Sequence, residues 1–328
     1  MLSRDPKIFE DGSEVQKRMM NYALILEELH IIVFTKNFPF GGSPAGRQIS
    51  KNIWAYPTKS LLNMYKIGKT MAEIGNCLVT SQDPFEIGLV GYWLKRKFKI
   101  PLELQVHTDF LSPYFAKESL KNKIRVLLAK FLIKKADRVR VVSERIKNSI
   151  IENCKLKIEN SAIEVRPIFV DVEKIKNAPI KTDLRKKYPD HNFVILMASR
   201  LTREKNIGLA IEAFGCVKRQ APSAKHPLLL IVGDGPDYQN LKFKIENLKL
   251  QNNVIIEPWT DDLISYYKTA DLFLLTSNYE GYGRTAVEAQ AAGLPVLMTD
   301  VGASIGEVFQ VGDLRGLVAK LSAKMPKR

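Results

Sequence analysis

The sequence predicts an α/β protein of two Rossmann-like domains with parallel sheets, and three observations carry that prediction. Short apolar runs alternate with amphipathic stretches of helical period along the chain, the pattern of an open parallel sheet. The alternation pauses near Pro167 to Ala178 and then starts again, and 328 residues exceed one ordinary core. In the second half, glycines and polar residues collect just after the apolar runs, where such sheets bind ligands. The predicted domains are residues 1–168 and 169–328.

Taken in order, residues 1–3 read as the end of a strand, 3–6 as a turn, and Gly12-Ser13 as the start of a helix over 15–29. The β-branched run 30–35 suits a buried strand. Gly41-Gly42-Ser43-Pro44 marks a loop. A helix over 61–74, a strand over 77–81, a turn over 82–85 and a helix over 86–97 follow. Beyond Pro101, a strand over 102–106 ends at His107-Thr108-Asp109. A basic helix over 121–135, a strand over 138–142 and another over 162–165 close the first half. The second half gives strands at 193–198, 228–232, 254–257, 272–275 and 294–298, with helices at 207–217, 238–248 and 263–269.

The net charge of +15 is uneven. Residues 1–170 carry 28 Lys+Arg against 17 Asp+Glu, and residues 171–328 carry 22 against 18. A basic first half suggests an anionic partner, or only a lysine-rich composition. Leu127, Leu128, Phe131 and Leu132 interleave with Lys121, Lys123, Arg125, Lys130, Lys134 and Lys135, as on a helix lying on anionic lipid. One face packed on the sheet and one solvated charged face is the alternative. Nucleic acid is not expected, because no stacking platform or binding module is present. No apolar run reaches the ~18 residues of a membrane span, and no signal peptide is visible. Three isolated cysteines suit thiols in a reducing cytoplasm.

The stretch 278–289 follows an apolar run and leads into an alanine-rich segment. It reads as a buried strand, a turn at Gly281 and Gly283, and a helix whose first amides are bare. Such a helix start attracts anions, because free N–H groups and the positive dipole end point outward. Glu280 and Glu288 flank it, which suggests a ligand with both phosphates and hydroxyls. Arg200 and Lys205 stand between a strand and a helix, placed to reach a diphosphate or to remain ordinary loop charges. Gly233-Asp234-Gly235-Pro236 fails as a dinucleotide fingerprint, since Tyr238 occupies the third glycine's place. A turn that admits a ligand to the backbone and a plain tight turn both remain open there. His107, at a strand end, is a site residue or a structural polar group. No P-loop, Asp-x-Asp pair, zinc spacing or GxSxG elbow occurs, so neither a metal nor a cofactor is expected.

The segments QDPFEIGLVGYWL (82–94), LQVHTD (104–109), VVSERI (141–146), SRLTREKN (199–206), GDGP (233–236) and EGYGRTAVEAQAAGLPV (280–296) occur in that order along the chain. Together they resemble the retaining family-4 glycosyltransferases, of the kind that build exopolysaccharide or lipid-linked glycans. The resemblance implies a GT-B architecture, with the two domains facing across a cleft, acceptor on the first and a UDP- or GDP-linked sugar on the second. It implies that Arg200 and Lys205 neutralise the leaving diphosphate and that Glu288 holds the ribose hydroxyls. Glu280 and the amides of Gly281, Tyr282 and Gly283 would hold sugar and phosphate. Arg284, Thr285, Gly233 and Trp259 would complete the donor site, and His107 would lie near the sugar. Transfer would be metal-independent and retaining, by a cytoplasmic enzyme lying at the inner face of the membrane, with a glycan or lipid-linked acceptor. Rival readings are a nucleotide-sugar epimerase on the same fold and a degenerate GT-B protein that binds a membrane surface. Two departures stand out: residues 304–312 are compressed, and little chain is left after Leu321 for a final helix.

Overall fold

The computed structural model describes residues 1–36, 46–155, 163–220 and 226–325. The chain divides into two compact units, Met1–Arg166 and Pro167–Arg328, each built on its own sheet.

The first sheet contains β1 (Leu2–Ser3), β2 (Leu29–Phe34), β3 (Arg47–Ser50), β4 (Ile53–Thr58), β5 (Val79–Ser81), β6 (Leu102–Val106), β7 (Arg138–Val141) and β8 (Ile163–Val165). Its order is β3-β4-β2-β1-β5-β6-β7-β8. The two-residue β1 is central: Leu2 pairs with Ile32 on one side and Ser81 on the other, both parallel. Three features differ from expectation: the extent of the first helix and the two strands β3 and β4. The first helix is shorter, Glu14–Ala23, with the Ser13 hydroxyl capping its start. Asn52 Nδ2 donates to the Ala23 and Leu26 carbonyls beyond its end, which frees Leu29 to open β2. An unforeseen edge strand, β3, pairs antiparallel with β4, so this sheet is not wholly parallel. Its residues Arg47, Gln48 and Ser50 give no apolar signal; position beside β4 makes it a strand. The loop read at Gly41 to Pro44 and the first residue of the strand read at 162–165 lie outside the described residues.

The second sheet contains β9 (Phe193–Ala198), β10 (Pro227–Val232), β11 (Val254–Glu257), β12 (Leu272–Leu275), β13 (Val296–Thr299) and β14 (Glu307–Phe309), all parallel. Its inner strands β9, β10 and β12 read as unbroken apolar runs because both faces are covered. Side chains alternate across the sheet. Ile195, Met197, Leu229, Ile231, Leu272 and Leu274 enter one core. Val194, Leu196, Leu228, Leu230, Phe273 and Leu275 enter the other. Each full burial of such a side chain contributes about 1.5–3 kcal/mol. The last two elements, β14 and the helix Leu314–Lys324, were not expected from the compressed sequence after Gly302. That helix buries Leu317 and Leu321 against the helix Ile207–Gln220.

The order β11-β10-β9-β12-β13-β14 places the site. The chain runs outward from β9 through β10 and β11, then returns to the other side of β9 for β12. Connections leave the ends of β9 and β12 in opposite directions, so their carboxyl ends open a crevice.

Candidate functional site

Two loops meet at that crevice. After β9, a 3₁₀ turn, Arg203–Lys205, ends at Asn206, which takes left-handed backbone (φ 46°) before the helix Ile207–Gln220 begins. After β12 come Thr276 and Ser277, both buried. The Thr276 hydroxyl lies 3.1 Å from the Lys205 carbonyl and 3.0 Å from that of Asn206, a shared donation. The Asn278 amide donates to the Glu204 carbonyl at 2.7 Å, and Asn206 Nδ2 donates to Asn278 Oδ1 at 3.1 Å. These bonds fix the loops together and aim Lys205 at Glu280.

Lys205 Nζ and Glu280 Oε1 are 2.5 Å apart, with side chains only 15% and 12% exposed. The Ser277 hydroxyl donates to the same carboxylate oxygen at 2.8 Å. A second cation, Arg200, pairs with Glu204 at 3.1 Å and is 75% exposed. Each cation predicted to meet a diphosphate therefore holds a carboxylate. An arriving dianion competes most easily for Arg200, whose pair is screened by water. Lys205 is held in its rotamer by a nearly buried partner.

The glycine turn behaves as the sequence indicates. Gly283 takes φ 83° and caps the helix Arg284–Ala291. No side chain caps this helix and no acidic residue stands in its first turn, so its positive end is open to an anion. Gly302 supports the turn from behind. With φ 60°, a Cβ there would stand 2.6 Å from the Tyr282 carbonyl oxygen and 3.0 Å from Glu280 Cβ. The Ala303 amide donates to that same carbonyl at 2.9 Å.

Glu288 lies one helical turn beyond Arg284, and Arg284 Nε donates to its Oε1 at 2.7 Å. The Tyr267 hydroxyl donates to Oε2 at 3.3 Å. Burial first, and the Glu288 charge second, push the Tyr267 pKa well above its ordinary value, so the hydroxyl remains a donor. Tyr267→Phe is expected to leave the fold intact and free Glu288 to rotate. A ligand held by Glu288 is then expected to bind about two- to tenfold more weakly, the weight of one ordinary hydrogen bond, as titration calorimetry would register.

Gly233 and Trp259 stand at the ends of β10 and β11. A Cβ on Gly233 would lie 1.9 Å from the Ser199 carbonyl oxygen, so only glycine lets the β9 and β10 loops approach. Asp234 Oδ2 accepts from the Trp259 amide at 3.0 Å and leaves the indole half exposed beside that turn. Nearby Glu257 is locked by Lys187 at 2.6 Å, by Tyr266 at 2.7 Å and by a short bond from Tyr188. Burial raises its pKa, but those three donors outweigh it and hold the carboxyl below its usual range. It is anionic and fully engaged.

His107 belongs to the first unit, just past β6. Gln105 fixes its tautomer: Gln105 Nε2 donates to Thr80 Oγ1 and Glu103 Oε1, which turns its Oε1 toward His107 Nε2 at 3.1 Å. Nε2 therefore carries the hydrogen and Nδ1 offers a lone pair. The residue is open to solvent on one side and crowded on the others. That crowding first, then Arg140 and Arg18, lower its pKa to about 4, and the ring is neutral at pH 7.

Within the second unit, Lys205 and Glu280 meet directly, Arg284 and Glu288 meet directly, and Gly233 and Trp259 share the Asp234 turn. Arg200 stands beside Glu204. Gly281 and Gly283 are buried in the turn itself, and Tyr282 and Thr285 are half-buried around it. Sequence reasoning passed over Thr276, Tyr267 and Gly302. Thr276 follows directly on the strand read at 272–275, and Gly302 lies a few residues past the strand read at 294–298; Tyr267, in a different helix, gave no signal.

Two family models match the chain: "Glycosyltransferase Family 4" over residues 28–174 and "Glycosyl transferases group 1" over residues 181–324. Over 236 residues the chain is 32% identical to the alpha-monoglucosyldiacylglycerol synthase of Streptococcus pneumoniae. That match takes in 67% of this chain and 51% of the relative, so the chain spans about half the relative's length. Among solved structures, Anabaena Alr3699/HepE in complex with UDP superposes with a TM-score of 0.74 at 19% identity, covering 98% of this chain and 88% of that one. The sucrose-phosphate synthase of Thermosynechococcus elongatus gives 0.76 at 18%, covering 94% and 83%. These likenesses show that the two parallel-sheet units are those of GT-B proteins. The models between them account for both units, and the crevice lies where the second model matches: the chain belongs to the group 1 glycosyltransferases.

Proposed function

We propose that this chain transfers a sugar from a nucleotide-linked donor to a glycan or lipid-linked acceptor, with retention and without a metal or cofactor. The observation that carries the reading is the β9/β12 crevice, where an uncapped helix start, two cations and two carboxylates gather at the carboxyl end of one sheet. Cations and amides serve phosphates; carboxylates serve hydroxyls. Breaking a glycosyl–phosphate bond leaves negative charge on the diphosphate. Lys205, Arg200 and the amides after Gly283 would stabilise that charge, the part a cation plays elsewhere. Glu288, steadied by Tyr267 and Arg284, would receive the ribose hydroxyls, and Trp259 would stack on the base. Glu280 and the turn Gly281 to Gly283 would hold the sugar. His107, neutral with Nδ1 free, would accept from a sugar hydroxyl. No side chain in the crevice stands out as a nucleophile, which favours front-face attack with the departing phosphate taking the acceptor's proton. The diacylglycerol glucoside in the pneumococcal relative's name supports a lipid-linked acceptor, and the UDP held by HepE supports a uridine donor over a guanosine one.

The test is a panel of nucleotide sugars scored by thermal stabilisation, followed by product analysis. A donor at a hundred times its Kd adds about 2.7 kcal/mol to the stability of the native state. Glu288→Ala is expected to cut affinity about ten- to a hundredfold for the ribonucleotide but far less for the 2′,3′-dideoxy analogue, whose missing hydroxyls cannot feel the change. Turnover is expected to survive chelator. Equal losses on both nucleotides would remove Glu288 from the ribose, and epimerised donor without transferred sugar would overturn the transferase reading.

A further inference from the structure

The first sheet departs from the rule that parallel strands are apolar on both faces. On β6 and β7, Leu102, Leu104, Val106, Val139 and Val141 fill one face and are buried. Side chains alternate along each strand. The other face therefore carries Thr80 on β5, Glu103 and Gln105 on β6, and Arg138 and Arg140 on β7. Glu164 on β8 stands opposite Arg140. Leu2 pairs with Ile32 and with Ser81, so Ile31 and Val33 share the face of Thr80. The helix Glu14–Ala23 covers that apolar end with Met19 and Ala23.

Most charges at the polar end are answered. Glu103 Oε1 accepts from Thr80 Oγ1 at 2.9 Å and from Gln105 Nε2 at 3.3 Å. Glu164 holds Arg166 at 2.5 Å. Arg140 is not answered. It is half-buried, its Nε is buried and donates to nothing among the described residues, and no carboxylate there pairs with it. Arg18, exposed on the helix Glu14–Ala23, pairs with none either. A half-buried guanidinium without a counter-charge is costly and calls for an anion. His107 stands beside both arginines. Arg140 is the cross-strand partner of Gln105, and Gln105 Oε1 holds the His107 ring on this face at 3.1 Å. Burial first, then Arg140 and Arg18, keep that ring neutral, so it adds no third cation.

We propose that Arg140 and Arg18 bind a phosphate group of the acceptor, beside His107 on the polar face of the first sheet. Two guanidiniums on separate elements suit a tetrahedral oxyanion, whose several oxygens two forks can share. A planar carboxylate is taken up by one fork. The basic excess of the first half thus has a local use at these two arginines. The proposal rests on the transferase reading only in calling the bearer of the phosphate the acceptor.

The test follows the His107 imidazole of the full chain by NMR, its signal assigned with His107→Gln. Inorganic phosphate, glycerol 3-phosphate and acetate are titrated in turn at constant ionic strength. Both phosphates are expected to move the signal saturably, the ester at least as tightly as the free ion, and acetate hardly to move it. A bound anion also offsets the two arginines, so the imidazole should titrate above its midpoint of about 4. Arg140→Met is expected to weaken phosphate about ten- to a hundredfold, and Arg140→Lys less, since a point charge remains without the fork. Arg18→Ala, at an exposed position that leaves packing untouched, is expected to weaken it about three- to tenfold. Circular dichroism and stabilisation by nucleotide sugar should be unchanged in all three. No saturable shift, equal shifts with acetate, shifts indifferent to Arg18→Ala and Arg140→Lys, or binding of free phosphate but not of the ester would overturn the proposal. Phosphate binding by a chain that no nucleotide sugar stabilises would instead overturn the transferase reading, and with it the word acceptor.

Discussion

Lys205→Ala is expected to reduce turnover about 10²–10³-fold, equivalent to ~2.7–4 kcal/mol of barrier, with a smaller effect on donor affinity. The ammonium is fixed at 2.5 Å from Glu280 between two loops that are bonded to each other, so it needs no rearrangement to meet developing charge. That preorganisation is what makes a charge worth more in the transition state than in the ground state. Removing it also strands the Glu280 carboxylate, which keeps the Ser277 hydroxyl among the described residues in a nearly buried place. A stability loss of about 1–3 kcal/mol is therefore expected alongside. A second variant separates the two effects: Lys205→Met with Glu280→Gln removes both charges and should recover most of the melting temperature while turnover stays low. Steady-state kinetics with thermal denaturation reads both quantities. Near wild-type turnover in Lys205→Ala would remove the ammonium from the chemistry.

Gly233→Ala is expected to destabilise the second unit by about 3 kcal/mol or more, the upper part of the range for overpacking. A methyl group there would meet the Ser199 carbonyl oxygen at 1.9 Å, and the obstacle is backbone just past the end of the central strand β9, tied to β10 by the Ser199 amide donating to the Val232 carbonyl. At ~2–4 °C per kcal/mol for a unit of this size, its melting temperature should fall about 6–12 °C. Gly293→Ala is the control. It also has positive φ, at 86°, but its Cβ would meet nothing within 4 Å, so only the left-handed strain of ~1–2 kcal/mol remains. Differential scanning calorimetry of the pair tests whether crowding, not φ, makes Gly233 obligatory. Equal losses would show that φ alone matters.

Both variants act where the sequence was already informative. The runs at 193–198 and 272–275 are each the length of a strand and apolar throughout, so length and composition alone fix them as buried parallel strands. The Glu280–Glu288 stretch was legible for a related reason: glycines between an apolar run and an alanine-rich helix leave few alternatives to a strand–turn–helix unit. Local chemistry determines such features, because neighbours in sequence are neighbours in space.

Other features were settled only by tertiary contact. The polar β3 is a strand because β4 offers it an edge, and β14 because β13 does. Which face of the basic helix is buried was left open, since lysines and leucines alternate on both sides and only packing against the rest of the unit chooses between them. The pairing of Lys205 with Glu280 joins residues 75 apart, and Tyr267 reaches Glu288 from another helix. Sequence named three of those four side chains without saying that the cation would be held by the carboxylate. That depends on strand order: β12 returning beside β9 brings the two loops together, and nothing local to either loop encodes it.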